Sequence, residues 1–384
     1  MQFIDLQAQR RRIETEINSA VQRVIESGRY VLGPEVGELE KQLAAWCGAK
    51  HSVSCANGTD ALSLPLMAWE VGPGDAVFCP SFTFVATAQV VPALGATPVF
   101  VDIHADTYNM DPASLEAAIA RVKAEGKLTP RVVIAVDLFG QPADYPAIKA
   151  ICDREGLKLI ADNAQGYGCT LNGKYSSDWA DISTTSFFPA KPLGCYGDGG
   201  AMVTNDSRLA ELVESLRVYG KVTPTDAAQR NFHHDPKYLS LRIGMNSRLD
   251  TIQAAILLEK LKLFAEEIEL REKVARRYSE ALGGKVLRVP HVIEGGQSVW
   301  AQYVIEHKNR DGLQAHLTAS GIPSMVYYPV PIHQQDFAAR FAPPAGSLPV
   351  TETASCHVLA LPMHPYLSTE DQDRVIAAVL GFNG

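Results

Sequence analysis

Leu157-Lys158-Leu159-Ile160-Ala161-Asp162-Asn163-Ala164-Gln165 is a short apolar run that stops on a carboxylate. Similar β-rich runs occupy His51–Cys55, Ala76–Cys79, Pro98–Asp102, Arg131–Asp137 and Ile182–Phe188. Helical patterns separate most of them: Asp60–Trp69, Thr83–Leu94, Asp111–Glu125 and Tyr145–Glu155. Strands that alternate with helices in this way predict an α/β fold of three layers, αβα, around a mostly parallel sheet. Ligands in such sheets bind beyond the carboxyl ends of the strands. Asn57, Ser81, Asp162 and Lys191 all fall there.

Outward from this core, two helices are predicted at the start, Leu6–Ser27 and Pro34–Trp46, with a Gly28–Gly33 loop between them. The pattern changes after about Asp250. A long helix over Thr251–Ala281 carries the i, i+4 pairs Glu267/Arg271 and Glu269/Lys273. It leads into a smaller α+β region with a strand Val299–Glu306 and helices Asp311–Ser320 and Asp371–Leu380. The expected division is a large domain over 1–250 and a small one over 251–384, joined by the long helix. The proline-rich segment Gly321–Pro349 holds Tyr327, Tyr328 and His333, a composition that suits a site-facing segment.

The 384 residues suffice for two domains and a large core. A net charge of −8 without a basic run argues against nucleic acid as a partner. No stretch approaches the roughly 20 apolar residues of a membrane span, and Met1–Leu6 lacks a signal-peptide pattern. The seven cysteines form no C-x-x-C pair and read as buried, reduced thiols. A cytoplasmic enzyme is expected. His233-His234 lacks further ligands at metal spacing, so no metal is expected. Gly168–Lys174 imitates a phosphate loop, but Tyr175 stands where Ser or Thr must hold magnesium.

Three features carry chemistry. Ala56-Asn57-Gly58-Thr59-Asp60 follows a strand and opens a helix, so free N–H groups and the Thr59 hydroxyl can cradle an anion; a plain capped helix fits equally well. Lys191 lies in Ser186-Phe187-Phe188-Pro189-Ala190-Lys191-Pro192, beside the glycine-rich turn Gly197–Gly200. Desolvation there favours the neutral amine, a nucleophile toward an aldehyde. Asp162 is the matching strand-end carboxylate. Lysine and carboxylate together are what a pyridoxal phosphate site needs, one to hold the aldehyde and one to pair with the ring nitrogen.

Taken together, Ala56–Leu62, Pro80–Thr87, Phe139–Asp144, Asp162–Gln165, Ser186–Gly200 and Gly244–Asp250 resemble the DegT/StrS family of sugar-nucleotide aminotransferases, which are fold-type I pyridoxal phosphate enzymes. The resemblance implies that Lys191 anchors the cofactor, Asp162 pairs with its ring nitrogen and Gln165 lies near its phenolic oxygen. Phe84 would stack on the ring, and Gly58, Thr59 and Ser186 would bind the phosphate. Asn246 would reach the phosphate in a neighbouring subunit's site, making the active unit a homodimer, and Arg248 would approach the substrate from the same partner. Ala161 departs from the family, whose members usually carry a carboxylate at that position.

The stretches Ser186–Gly200, Asn246–Ile256 and Pro362–Leu367 are most similar to the subgroup that aminates C3 of UDP-2-acetamido-2-deoxy-3-oxo-D-glucuronate with glutamate as donor, in O-antigen synthesis. Arg248 would then pair with the sugar carboxylate, and Tyr327, Tyr328 and His333 would line the sugar site. Family members often have His before the Tyr-Pro of this loop, where the chain has Tyr327. A dTDP- or GDP-linked 3-oxo or 4-oxo deoxysugar is the alternative. A sugar dehydratase of the same fold would have His in place of Lys191, and a non-catalytic regulator would be expected to carry a DNA-binding segment.

Overall fold

The apolar runs of the sequence pair into one seven-stranded sheet in a computed structural model, which describes residues 1–232, 234–235 and 238–384. His233 lies outside the described residues. The strands are β1 (His51–Cys55), β2 (Asp75–Pro80), β3 (Thr97–Val101), β4 (Thr129–Val136), β5 (Lys158–Asp162), β6 (Ile182–Ser186) and β7 (Gly200–Thr204). Their order across the sheet is β1-β7-β6-β5-β4-β2-β3. Only β7 is reversed, antiparallel to both β1 and β6.

Alternate residues of each central strand feed two cores, which is the period-2 signature of a sheet covered on both faces. Val132, Ile134 and Ile160 meet the helices Gly58–Ala68, Ala86–Ala93 and Ser207–Leu216 on one side. Val133, Ala135, Leu159 and Ala161 meet Pro112–Glu125 and Tyr145–Glu155 on the other. Because Ala161 points into this second core, a carboxylate there would be buried among apolar side chains.

The helix Thr251–Leu282 bridges two large cores. Ala254, Leu257, Leu261 and Phe264 pack with Leu39, Leu43 and Phe187 of the sheet region. Further along, Val274, Ala275, Tyr278 and Leu282 pack with Tyr303, Leu313, Leu317, Leu359 and Leu361. Those residues lie on β8 (Tyr303–Glu306), β9 (Val358–Leu361) and the helix Arg310–Ala319. The chain also returns to the sheet, where Ile332, Ala338 and Leu348 join the first core.

Several expectations are corrected. The first helix is two, Leu6–Arg12 and Glu14–Ser27, broken at Ile13 with φ −130°. β6 stops at Ser186 rather than Phe188, where the chain turns toward Lys191. The i, i+4 pair Glu267/Arg271 is present and both residues are buried, because the helix is covered on that face by Gln9 and Tyr366. Six cysteines are buried and free, whereas Cys356 is exposed on the helix Pro349–His357.

Candidate active site

Reversal of β7 brings its first residue to the edge where the other strands end. Gly200 is registered against Cys55 on one side and Ser186 on the other. At this edge the turn after β1 presses on its neighbours. A Cβ on Gly58 would lie 2.6 Å from the Ser186 Cβ, and one on Gly200 would lie 2.5 Å from the Asn57 carbonyl oxygen. Asn57 caps the helix Gly58–Ala68 by accepting from the Asp60 N–H at 2.8 Å. The Gly58 and Thr59 N–H groups, at the first two helical positions, have no acceptor within the helix. Thr59 is exposed and its hydroxyl makes no hydrogen bond among the described residues. Ser186, half-buried beside them, accepts from the Phe188 N–H at 3.3 Å.

Lys191 sits in a loop closed at its root, where the Phe187 carbonyl accepts from Cys195 N–H and the Phe187 N–H donates to Gly199, each at 2.7 Å. From the long helix, Lys260 donates to the Gly194 carbonyl, and the Gln253 side chain accepts from Tyr196 N–H at 2.8 Å. Burial lowers the Lys191 pKa below that of an ordinary lysine, against the pull of the Asp162 charge. Asp162 is itself buried, and burial raises its carboxyl above the usual carboxylate range. Thr87, Ala164 and Lys191 oppose that rise: the Thr87 hydroxyl donates to Oδ2 at 2.8 Å and the Ala164 N–H to Oδ1 at 3.1 Å. Lysine and carboxylate feel each other's charge, yet no hydrogen bond or ion pair joins them among the described residues.

The other singled-out residues divide. Phe84 is 54% exposed, on the loop between β2 and the helix that carries Thr87. Gln165 is buried, with Oε1 accepting from Phe139 N–H at 2.7 Å and Nε2 donating to the Tyr328 hydroxyl at 2.9 Å. Tyr328 packs edge-on against Phe82, and Tyr327 lies between Phe3 and Tyr328. His333 is buried with both ring nitrogens engaged, Nδ1 with Ser81 Oγ at 2.7 Å and Nε2 with Glu352 at 3.3 Å. It braces the end of β2, which leaves no ring nitrogen for a sugar. Asn246 is exposed and Arg248 half-buried, on either side of the buried Ser247, and neither bonds to Asp162 or Lys191 among the described residues.

A model of the DegT/DnrJ/EryC1/StrS aminotransferase family matches residues 11–380. The chain belongs to this family. It is 47% identical, over 99% of its length and 99% of the relative's, to the UDP-2-acetamido-2-deoxy-3-oxo-D-glucuronate aminotransferase of Pseudomonas aeruginosa. A solved DegT/DnrJ/EryC1/StrS aminotransferase from Brucella abortus superposes with a TM-score of 0.94 at 52% identity, covering 100% of both chains. NtdA from Bacillus subtilis with bound cofactor PMP gives a TM-score of 0.84 at 30% identity, with 96% of this chain and 81% of that one covered.

The protein is therefore a pyridoxal phosphate-dependent aminotransferase of fold type I. Its strand-end edge fits that cofactor. A first helical turn with free N–H groups suits a phosphate, and the absence of a Cβ on Gly58 lets that turn lie directly against Ser186. A lysine whose pKa burial lowers and a buried carboxylate feel each other's charge at the same edge. The DegT-family reading from sequence did not include Thr87 and Thr83, both buried, although their hydroxyls lead directly to Asp162. Nor did it include Ser247, whose hydroxyl donates to Asp60 at 2.6 Å and accepts from Ala56 N–H at 3.1 Å. Both threonines lie in the stretch Pro80–Thr87 that carries the family resemblance, Thr83 in the loop before the helix and Thr87 in its first turn, but the sequence attaches no role to either hydroxyl.

Proposed function

We propose that this aminotransferase moves the amino group of glutamate to C3 of UDP-2-acetamido-2-deoxy-3-oxo-D-glucuronate, in the cytoplasm, for O-antigen or related surface polysaccharide. The observation that carries the chemistry is that Lys191, its pKa lowered by burial, and the buried Asp162 feel each other's charge at the strand ends while no hydrogen bond or ion pair joins them among the described residues. The relative from Pseudomonas aeruginosa supports the sugar. Buried free thiols support a reducing compartment.

Bound pyridoxal phosphate supplies an aldehyde that condenses with amines and a ring that stabilises negative charge on the adjacent carbon. Lys191 holds the cofactor at Nζ and, once released, carries a proton at Nζ between the two carbons that exchange it. Asp162 keeps the ring nitrogen protonated by remaining ionised beside it. Gly58, Thr59 and Ser186 hold the phosphate. Phe84 covers one face of the ring, and its exposure in the single chain suits that use. Gln165, aligned by Phe139 and Tyr328, stands at the phenolic oxygen.

The active unit is a homodimer in which Asn246 and Arg248 serve the partner's site, Arg248 against the sugar carboxylate. Exposed apolar side chains support a second copy, with Ile243 at 91% exposure in the segment just before Asn246 and Tyr30, Val31 and Leu32 in the loop before Pro34. Tyr327 and Tyr328 line the sugar side. The deciding experiment is a panel of UDP- and dTDP-linked ketosugars with glutamate as donor. Turnover of the 3-oxo-glucuronate is expected; turnover of a 4-oxo-6-deoxysugar in its place overturns the assignment.

A further inference from the structure

We propose that Thr87, backed by Thr83, is the positioning residue that aims the Asp162 carboxylate at the ring nitrogen of the cofactor. This rests on the reading of Asp162 as the ring partner. Thr87 Oγ1 lies 2.8 Å from Asp162 Oδ2, and Thr83 Oγ1 lies 3.3 Å from Thr87 Oγ1. All three side chains are buried. An ionised carboxylate only accepts, so the single hydroxyl proton of Thr87 is committed to Asp162, and Thr83 must donate to Thr87. The two hydroxyls thus form a one-way chain in which each polarises the next. Ala164 N–H engages the other oxygen at 3.1 Å. With one donor on each oxygen, the carboxylate plane is fixed and a lone pair stays free for the ring.

The same threonines tie this carboxylate to the aromatic above the ring. Thr83 and Thr87 flank Phe84, and Thr87 N–H donates to the Phe84 carbonyl at 3.2 Å. One turn of chain therefore sets both the height of Phe84 and the direction of Asp162. The other charged or titratable groups that share an electrostatic interaction with Asp162 are Lys191 from the loop after β6, Asp137 just past β4, Tyr145 at the start of the helix Tyr145–Glu155, and Tyr328. None of them donates a hydrogen bond to it among the described residues. Thr87 is the one side chain among the described residues that does.

The test uses cofactor-free enzyme and pyridoxamine 5′-phosphate, which binds without a covalent link to Lys191, so affinity reports the ring contacts. Calorimetric titrations at several pH values compare wild type with Thr87→Val, Thr87→Ser, Thr83→Val and Asp162→Asn. Thr87→Val is expected to bind about tenfold more weakly, the size of a lost hydrogen bond to a charged group. Its affinity should also fail at a higher pH on the acid side, because Asp162 protonates more readily without its donor. Thr87→Ser should restore both within about twofold, and Thr83→Val should show the same changes, smaller.

Wild-type binding by Thr87→Val, or equal losses in the Val and Ser variants, overturns the inference. If Thr87→Val does not fold, Thr83→Val decides in its place by the same two readouts. Wild-type binding by Asp162→Asn would instead remove the reading of Asp162 itself. Loss in Asp162→Asn without loss in Thr87→Val removes only the role of Thr87.

Discussion

Gly58 lies so close to Ser186 that a Cβ would come within 2.6 Å of the serine Cβ and 3.3 Å of its Cα. Those atoms belong to the end of β6 and cannot swing aside, so the first turn of the helix Gly58–Ala68 would have to retreat. Gly58→Ala is expected to cost about 1–3 kcal/mol of stability, as overpacking does, and to weaken cofactor binding at least tenfold. Gly37 is the control. It lies exposed in the helix Pro34–Trp46, and a Cβ there meets nothing within 4 Å. Gly37→Ala should leave cofactor affinity unchanged and stabilise by about 0.5–1 kcal/mol. Denaturant melts and a cofactor titration on both variants check the pair.

Lys191 and Asp162 shift each other in a way that fixes a sign. Burial lowers the lysine and the carboxylate charge pulls it back up. Removing that charge must therefore lower Lys191 further. In cofactor-free enzyme, the pH at which Lys191 becomes reactive toward an amine-labelling reagent should fall below that of an ordinary lysine, and Asp162→Asn should move it lower still. Linkage has the same direction: burying Lys191 costs stability at low pH, a cost relieved as pH rises from its lowered value toward the ordinary lysine value. Peptide-resolved labelling across pH measures the shift, and an upward movement in Asp162→Asn contradicts the pairing. Lys191→Ala should abolish turnover and the absorbance band at about 400–430 nm of the loaded enzyme.

Away from the site, Glu267 is completely buried and serves three elements at once. It accepts from Gln9 Nε2 at 2.7 and 2.9 Å and from the Tyr366 hydroxyl at 2.5 Å, with Arg271 at 4.0 Å. Glu267→Ala would leave the Arg271 guanidinium buried without its counter-ion, which costs about 3–5 kcal/mol. The double variant Glu267→Leu, Arg271→Met removes both charges and should be markedly more stable than Glu267→Ala. Urea unfolding of the three proteins tests this, and a double variant no more stable than Glu267→Ala would show that the unpaired guanidinium is not the source of the loss.

The strand–helix alternation was legible because every central strand carries its apolar residues on both faces, as Val132 to Ala135 do. β7 was not, since its five residues begin in a glycine-rich turn and its reversal depends on pairing with β1 and β6. The break at Ile13 has no Gly or Pro to announce it. Spacing alone places Glu267 one helical turn before Arg271, and only the packing of Gln9 and Tyr366 decides that the pair is buried. In the site, Asp162 and Lys191 stand out as charges that follow apolar runs. His333 read as a site residue from its company of tyrosines and prolines, but its partner Ser81 lies far away in sequence. Thr87 was hidden inside the helical run Thr83–Leu94, where a threonine carries no special meaning until its hydroxyl is seen to reach Asp162.

Arg248 is half-buried and makes no hydrogen bond or ion pair among the described residues. Its backbone neighbour Ser247 is anchored to Asp60 and Ala56, so the guanidinium is presented from a fixed segment rather than a free loop. A planar donor held in this way, with no carboxylate of its own, suits bidentate pairing with an incoming carboxylate. Arg248→Lys keeps the charge but not the fork, and Arg248→Ala removes both. For the 3-oxo-glucuronate, KM should rise about tenfold or more in Arg248→Ala, with Arg248→Lys intermediate. The glutamate half of the reaction, followed by release of 2-oxoglutarate, should change much less if the guanidinium reads the sugar. Equal losses with a 3-oxo sugar that lacks the carboxylate would mean that Arg248 supports the fold of the segment and not the recognition of the acid.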